Sequence, residues 1–316
     1  MEIKFDLTDK INKDYIIELI NKNDVFYLAH ISYKIKKEFA NSFHTCSISN
    51  SKSGVCDQNC SYCAQSSFHK TDIKTYNLLP KEEIYKEAEK AYLNDVRHFG
   101  IVTSGYGYPK PNKEFEKILE TIRYIKERLN DLEVCCSLGV LSEETASMLV
   151  ETGIVEYNHN LQVNPPKYKE LIATTHSVEE RINTIKILRK YPIRICSGAI
   201  IGLGETMEDR INLAFLLKDL NVDIVPINVL IPIKGTRLEN QKPITAVDVI
   251  KTFCAYRIIL KDKVIKFAAG RETIMKDFQG LILACAANGM LTGGYLTTRG
   301  RSVEEDKELI EQIFKF

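Results

Sequence analysis

A chain of 316 residues with 44% hydrophobic content is long enough to bury one large core or two small ones. Its 43 basic and 42 acidic residues leave a net charge of +1, so no field of one sign marks it as a nucleic-acid binder. No stretch approaches the roughly 18 apolar residues of a membrane helix, and Met1-Glu2-Ile3-Lys4-Phe5-Asp6 carries charges where a signal peptide needs an apolar run. The expected location is the cytoplasm, where nine cysteines imply thiolate chemistry rather than disulfides.

Residues 1–42 read as a charged helical extension, with helical spacing over Asn12–Ile20 and Phe26–Phe39. From Thr45 onward, apolar β-rich runs alternate with amphipathic charged stretches. The strand candidates are Thr45–Ser49, His98–Thr103, Glu133–Ser137, Ile154–Tyr157, Ile193–Ile201, Ile224–Leu230, Val264–Ala268 and Met290–Tyr295. Between and after them lie helix candidates Lys81–Asn94, Asn112–Leu129, Ser142–Glu151, Ser177–Lys190, Thr206–Leu220, Ala246–Leu260, Thr273–Ala287 and Val303–Phe314. Ser142 and Ser177, each followed by acidic residues, are plausible helix starts. Eight such alternations predict an α/β fold, a (β/α)8 TIM-type barrel, over residues 43–316. No Gly-, Pro- or Ser-rich linker divides it.

Directly after the first strand stands Cys56-Asp57-Gln58-Asn59-Cys60-Ser61-Tyr62-Cys63. Three thiolates on one short loop serve three irons of a [4Fe–4S] cube and leave the fourth open to a chelating ligand. Tyr62 lies between two of the ligands, so its ring can stack on what binds there. A zinc loop, with His44 or His69 as fourth ligand, is the bland alternative, but zinc sites favour paired C-x2-C units. The loop resembles that of the radical S-adenosylmethionine (SAM) enzymes. In these, the open iron holds the amino and carboxylate groups of SAM.

A second set of polar residues falls on odd-numbered strands: Cys46 on the first, Cys135 and Cys136 on the third, Cys196 on the fifth, with Arg271 closing the seventh. Alternate strands fill each layer inside such a barrel, and strand alternation lets only one of Cys135 and Cys136 point inward. A lone strand cysteine is most often a small core residue. Convergence of several, with an arginine that needs anions around it, weakens that reading. Cys254 and Cys285, on amphipathic helix stretches, read as core.

From about residue 40 to the end, the chain is similar to biotin synthases. Tyr157-Asn158-His159-Asn160-Leu161 matches that family's Y-N-H-N-L motif. Cys196-Ser197-Gly198, Gly202-Leu203-Gly204-Glu205-Thr206, Val225-Pro226-Ile227-Asn228, Ala269-Gly270-Arg271-Glu272 and Thr297-Thr298 match further segments. The resemblance implies sulfur insertion into dethiobiotin, initiated by a 5′-deoxyadenosyl radical, with an auxiliary iron–sulfur cluster as sulfur donor. It implies SAM contacts at Tyr62, Ser104, Gly105, Asn158, Gln162, Gly202, Glu205 and Val229. It implies dethiobiotin contacts at Asn160, Asn228, Thr297 and Thr298, and catalytic parts for Asn160, Asn228 and Arg271. A flavodoxin or ferredoxin donor and a homodimer are further expectations of the family.

Two positions depart from the family's pattern. The auxiliary-ligand positions match Gly100, Cys135, Cys196 and Arg271, and Gly100 has no ligand atom. Cys46 stands where serine is common, which reads as an exchange of one thiolate between strands. The expected set is Cys46, Cys135, Cys196 and Arg271, and the spread of three thiolates around one layer favours a four-iron cluster over [2Fe–2S]. Gln162 replaces the usual aspartate near the SAM ribose and can still hydrogen-bond a hydroxyl. Glu205 opens the following helix, where a carboxylate equally suits the dipole. The competing readings are another radical SAM enzyme of hydrogenase-maturation or lysine-rearranging type, and a non-catalytic iron–sulfur carrier.

Overall fold

The structure, a computed structural model, describes residues 11–293 and 301–315. Eight parallel strands close into a barrel: β1 His44–Lys52, β2 His98–Thr103, β3 Glu133–Ser137, β4 Glu156–Asn158, β5 in two pieces Arg194–Cys196 and Ala199–Ile201, β6 Ile224–Val229, β7 Val264–Phe267 and β8 Gly289–Leu291. Each pairs with its sequence neighbours, and β8 returns to β1. The (β/α)8 expectation holds. β5 breaks at Ser197-Gly198, where a Cβ on Gly198 would run into the Pro226 carbonyl of β6, so glycine is required for the close approach.

The helices form where apolar spacing and caps agree. They are α1 Lys13–Lys22, α2 Val25–Phe39, α3 Lys81–Leu93, α4 Lys113–Arg128, α5 Glu143–Val150, α6 Tyr168–Leu171, α7 Val178–Leu188, α8 Met207–Asp219, α9 Ala246–Leu260, α10 Gln279–Cys285 and α11 Val303–Ile313. In α4, Phe115, Ile118, Leu119, Ile122 and Ile125 bury one face, and the Asn112 side chain accepts from Phe115 N at 2.8 Å. Ser142 and Ser177 each close a capping box. Helix α9 is buried from Val249 to Leu260, except for the half-buried Lys251. Its outer side is covered by α2, so the N-terminal hairpin packs against the barrel wall.

One stretch differs from expectation. In place of a continuous helix over 273–287, a π turn at Arg271–Met275 and a 3-10 turn at Lys276–Phe278 precede α10. Lys276 adopts φ +49°, which interrupts a regular helix. No helix among the described residues is long and apolar enough to cross a membrane.

Candidate active site inside the barrel

A cavity of about 370 Å³ runs along the axis at the C-terminal ends of the strands, where barrels of this kind place their sites. Its lining includes Cys56, Cys60 and Cys63 at one end and Cys46, Cys135 and Cys196 on the strands, with Asn158, Asn160 and Asn228 also on the wall.

The Cys56 loop is held in place by its backbone. Cys56 N donates to Gln65 O and Ser67 N to Cys56 O. Ser61 N and its hydroxyl both reach the α6 region, at Ile172 O and Leu171 O. Burial pushes the Cys60 thiol up to about 12 and Cys63 up to about 11, and each is raised further by the neighbouring thiols. Burial raises Cys56 as well. Such thiols stay protonated until a metal displaces the proton. Three of them around one loop fit the [4Fe–4S] cluster that the sequence implies.

Behind the loop stands a polar network not anticipated from the sequence. Gln58 Oε1 meets His176 Nδ1 at 2.9 Å, and His176 Nε2 meets Tyr168 OH at 2.8 Å and Arg181 Nη2 at 3.1 Å. Arg181 also donates to Tyr168 OH at 2.6 Å and to Asn160 O at 3.0 Å. Burial, then the Arg181 charge, lower His176 to about 4, so it is neutral and Nδ1 carries the proton toward Gln58. Among the described residues, no carboxylate lies within ion-pair distance of Arg181. Burial alone would lower its pKa, but Tyr168, Tyr62 and Cys60 outweigh that and raise it. A half-buried guanidinium that lines the cavity without a carboxylate partner suits an anionic ligand.

Other expected SAM positions divide. Tyr62, Ser104, Gly105, Asn158 and Gln162 line the cavity. Gln162 Nε2 donates to Tyr62 OH at 2.9 Å, while Gln162 Oε1 is buried without a partner and open to a donor. Gly202, Glu205 and Val229 are not in the cavity wall. Both Glu205 oxygens are taken, Oε1 by Gly202 N at 2.8 Å and Arg210 Nε at 2.6 Å, and Oε2 by Leu203 N at 2.7 Å. The carboxylate therefore organises the strand-to-helix turn and has no direct line to the cavity.

Deeper in the barrel, Cys46, Cys135 and Cys196 face the cavity, and burial pushes Cys46 up to about 11 and the other two well above their ordinary range. Cys136 also borders the cavity but packs in the apolar core with Tyr157, and Cys254 and Cys285 are core elsewhere. The cation beside the three thiols is Lys266, not Arg271. Gly270, at φ +85°, turns the chain after β7. Arg271 then heads the π turn and is fully buried against Asp306 at 2.9 Å, with Glu272 at 2.7 Å and Gln279 at 2.8 Å. Arg271 thus lies outside the cavity wall and away from the thiol layer in which the sequence placed it. Lys266 lies within β7, lines the cavity and approaches Glu156 Oε1 at 3.5 Å. Burial would lower the Lys266 pKa, but Glu156, Cys46, Cys196 and Cys135 together raise it, so it remains an ammonium.

Between the two thiol sets, Asn158 Nδ2 donates to Cys196 Sγ at 3.1 Å and to Asn160 Oδ1 at 3.2 Å. Asn160 Oδ1 also accepts from Gly198 N at 2.9 Å. Asn228 donates to Ala199 O and accepts from Ala269 N, which fixes its amide in the wall. His159 is buried, and burial first, then Arg181, lower its pKa well below the usual range, so the ring is neutral. Thr297 and Thr298 lie outside the described residues.

The profile of the Radical SAM superfamily matches residues 50–217, and that of the Biotin and Thiamin Synthesis associated domain matches 226–313. The chain is 50% identical over 298 residues to the biotin synthase of Pelodictyon phaeoclathratiforme, covering 92% of this chain and 88% of the relative. It is 49% identical over 299 residues to that of Chlorobaculum parvum, covering 93% and 90%. In fold it is similar to methylornithine synthase (TM-score 0.82, 16% identity, 98% of this chain and 93% of that one). It is likewise similar to the FeFe-hydrogenase maturase HydG from Carboxydothermus hydrogenoformans (TM-score 0.80, 18% identity, 96% and 75%). The chain belongs to the biotin synthase family of the radical SAM superfamily.

Proposed function

We propose that this chain converts dethiobiotin to biotin by SAM-dependent sulfur insertion, with Cys56, Cys60 and Cys63 holding the SAM cluster and Cys46, Cys135 and Cys196 holding an auxiliary cluster. The first cluster supplies the electron that cleaves SAM to a 5′-deoxyadenosyl radical, and the second supplies sulfur. The observation that carries the reading is the presence of both thiol sets on one cavity, with Asn158, Asn160 and Asn228 between them. Arg181 meets the SAM carboxylate, which answers its lack of a carboxylate partner. Tyr62 and Gln162 flank the nucleoside end, with Gln162 Oε1 accepting from a ribose hydroxyl. Asn160 keeps its amide N–H groups for the ureido carbonyl, and Asn228 the second N–H and lone pairs of its amide. Thr297 and Thr298 take the substrate carboxylate. Three thiolates spread over β1, β3 and β5 favour a four-iron auxiliary cluster. A flavodoxin- or ferredoxin-type protein supplies electrons, and the chain works as a homodimer in the cytosol.

The test is anaerobic turnover of the reconstituted protein with SAM and a reductant, with and without dethiobiotin. We expect dethiobiotin-dependent 5′-deoxyadenosine and biotin. Asn228→Ala should weaken dethiobiotin binding by about 1–3 kcal/mol, the cost of an unpaired buried polar group. Equal 5′-deoxyadenosine formation with and without dethiobiotin would refute the substrate.

A further inference from the structure

We infer that Glu156 is an iron ligand of the auxiliary cluster, an oxygen corner that stands in for the thiolate missing at Gly100. The inference rests on the proposal that Cys46, Cys135 and Cys196 hold such a cluster.

Register gives the first argument. Gly100 pairs with Cys135, and Cys135 with Glu156, so the three occupy one row across β2, β3 and β4. Loss of a ligand from β2 leaves a gap on one side of Cys135, and a donor-bearing side chain stands on the other. A Cβ at Gly100 would already lie 3.1 Å from Ile48 Cγ2, so that side of the row is closed to a longer side chain unless Ile48 moves. A carboxylate oxygen of Glu156, the Cys135 sulfur and a ring nitrogen of His98 all lie within 4.8 Å of one another.

Bonding gives the second. Glu156 is 2% exposed and lines the cavity. Its Oε1 has Lys266 at 3.5 Å, whereas Oε2 has no hydrogen-bond donor and only the Arg194 Nε at 3.9 Å. A buried carboxylate oxygen without a donor is costly. Iron accepts carboxylate oxygen readily, alone or beside nitrogen donors, and a metal at Oε2 would satisfy it. Charge points the same way. Once deprotonated, three thiolates and the carboxylate would outnumber the nearby cations Lys266 and Arg194, and a metal among them offsets the excess.

His98 is the weaker candidate. It does not line the cavity, and its Nδ1 is engaged by Glu133 at 3.1 Å and Arg194 at 3.2 Å. Its strand partners are Cys46 and Glu133, so it sits one layer below the row of Gly100, Cys135 and Glu156.

The test is iron and sulfide analysis with Mössbauer spectroscopy on the full chain, loaded anaerobically with 57Fe, using the Cys56-loop cluster as internal proof of folding. Glu156→Gln keeps the shape but is a poor ligand, and auxiliary iron affinity should fall about tenfold or more. Glu156→Cys should restore auxiliary iron with all-sulfur parameters. The double variant Glu156→Gln/Lys266→Met should stay as depleted as Glu156→Gln alone. Wild-type auxiliary iron and spectrum in Glu156→Gln would overturn the inference, as would an unchanged spectrum in Glu156→Cys. Recovery in the double variant would also overturn it, since Glu156 would then be only the charge partner of Lys266. If the wild type holds no iron beyond the cluster lost with Cys56→Ala, the auxiliary-cluster proposal itself fails. If Cys46→Ser removes auxiliary iron and Glu156→Gln does not, only the assignment of Glu156 fails.

Discussion

Arg181→Met tests the SAM pocket most directly. The substitution keeps the approximate length of the buried side chain and removes its charge and three hydrogen bonds, to Tyr168, His176 and Asn160. Tyr168 OH and His176 Nε2 still hold each other at 2.8 Å, so the protein itself should lose only about 1–3 kcal/mol. SAM loses more. A charge-assisted hydrogen bond contributes about 1.5–3 kcal/mol, and a planar guanidinium can make two parallel ones to a carboxylate. Discounting for water that re-enters the site, we expect a loss of about 2–3 kcal/mol in SAM affinity, or roughly 30–150-fold in Kd at 1.4 kcal/mol per decade. Arg181→Lys keeps the charge without the fork and should fall between wild type and Met. The assay is equilibrium dialysis of SAM against anaerobically reconstituted protein, with iron content measured on the same samples. A Met variant with full iron content and a wild-type Kd would refute the assignment of Arg181 to the SAM carboxylate.

Two further outcomes are expected. Arg271→Met strips a fully buried ion pair from Asp306, at about 3–5 kcal/mol of stability. Iron and sulfide per folded chain should not change, and a selective loss of auxiliary iron would return Arg271 to the cluster. His176 falls from an ordinary 6.5 to about 4 in the folded chain. The unfolded chain therefore takes up a proton in this window that the folded chain refuses, and His176 costs stability as pH drops from about 6.5 toward 4. His176→Gln should flatten that part of the denaturation profile relative to wild type, and parallel profiles would count against it.

The barrel was legible because its signals are local and repeated. β2 and β3 begin and end as their apolar runs predict, and the capping boxes at Ser142 and Ser177 mark their helices. The Cys56 loop follows from spacing, and strand alternation admits only one of Cys135 and Cys136 to the interior, a choice that only the family's ligand pattern made. Arg271 was misplaced because the path after Gly270 depends on a left-handed backbone and on a distant partner, Asp306 in α11. Lys266 and Glu156 carried a usable signal. Each is a lone charge inside an otherwise apolar strand, and such residues are buried only when paired. Arg181 carried none, since in α7 it follows Glu179 and Glu180 and reads as a solvent-facing charge. Its burial comes from Tyr168 and the cysteine loop, which fold over it.

The network around Arg181 also fixes the relation between the two thiol sets. From Gln58 in the cysteine loop, hydrogen bonds run through His176 to Arg181, then to the Asn160 carbonyl. The Asn160 side chain accepts from Asn158, and Asn158 donates to the Cys196 sulfur. One polar chain thus joins the cysteine loop to a deep thiol, and it runs along the cavity wall. Backbone pairing of β4 with β3 and β5 holds its middle members. On the proposed assignment, the deep thiols are fixed by barrel strands, and the Cys56 loop is tied to them through this network. If dethiobiotin binds Asn160 as proposed, a change at Asn158 should disturb both substrate affinity and the environment of the Cys196 sulfur, because Asn158 bonds to both Asn160 and Cys196.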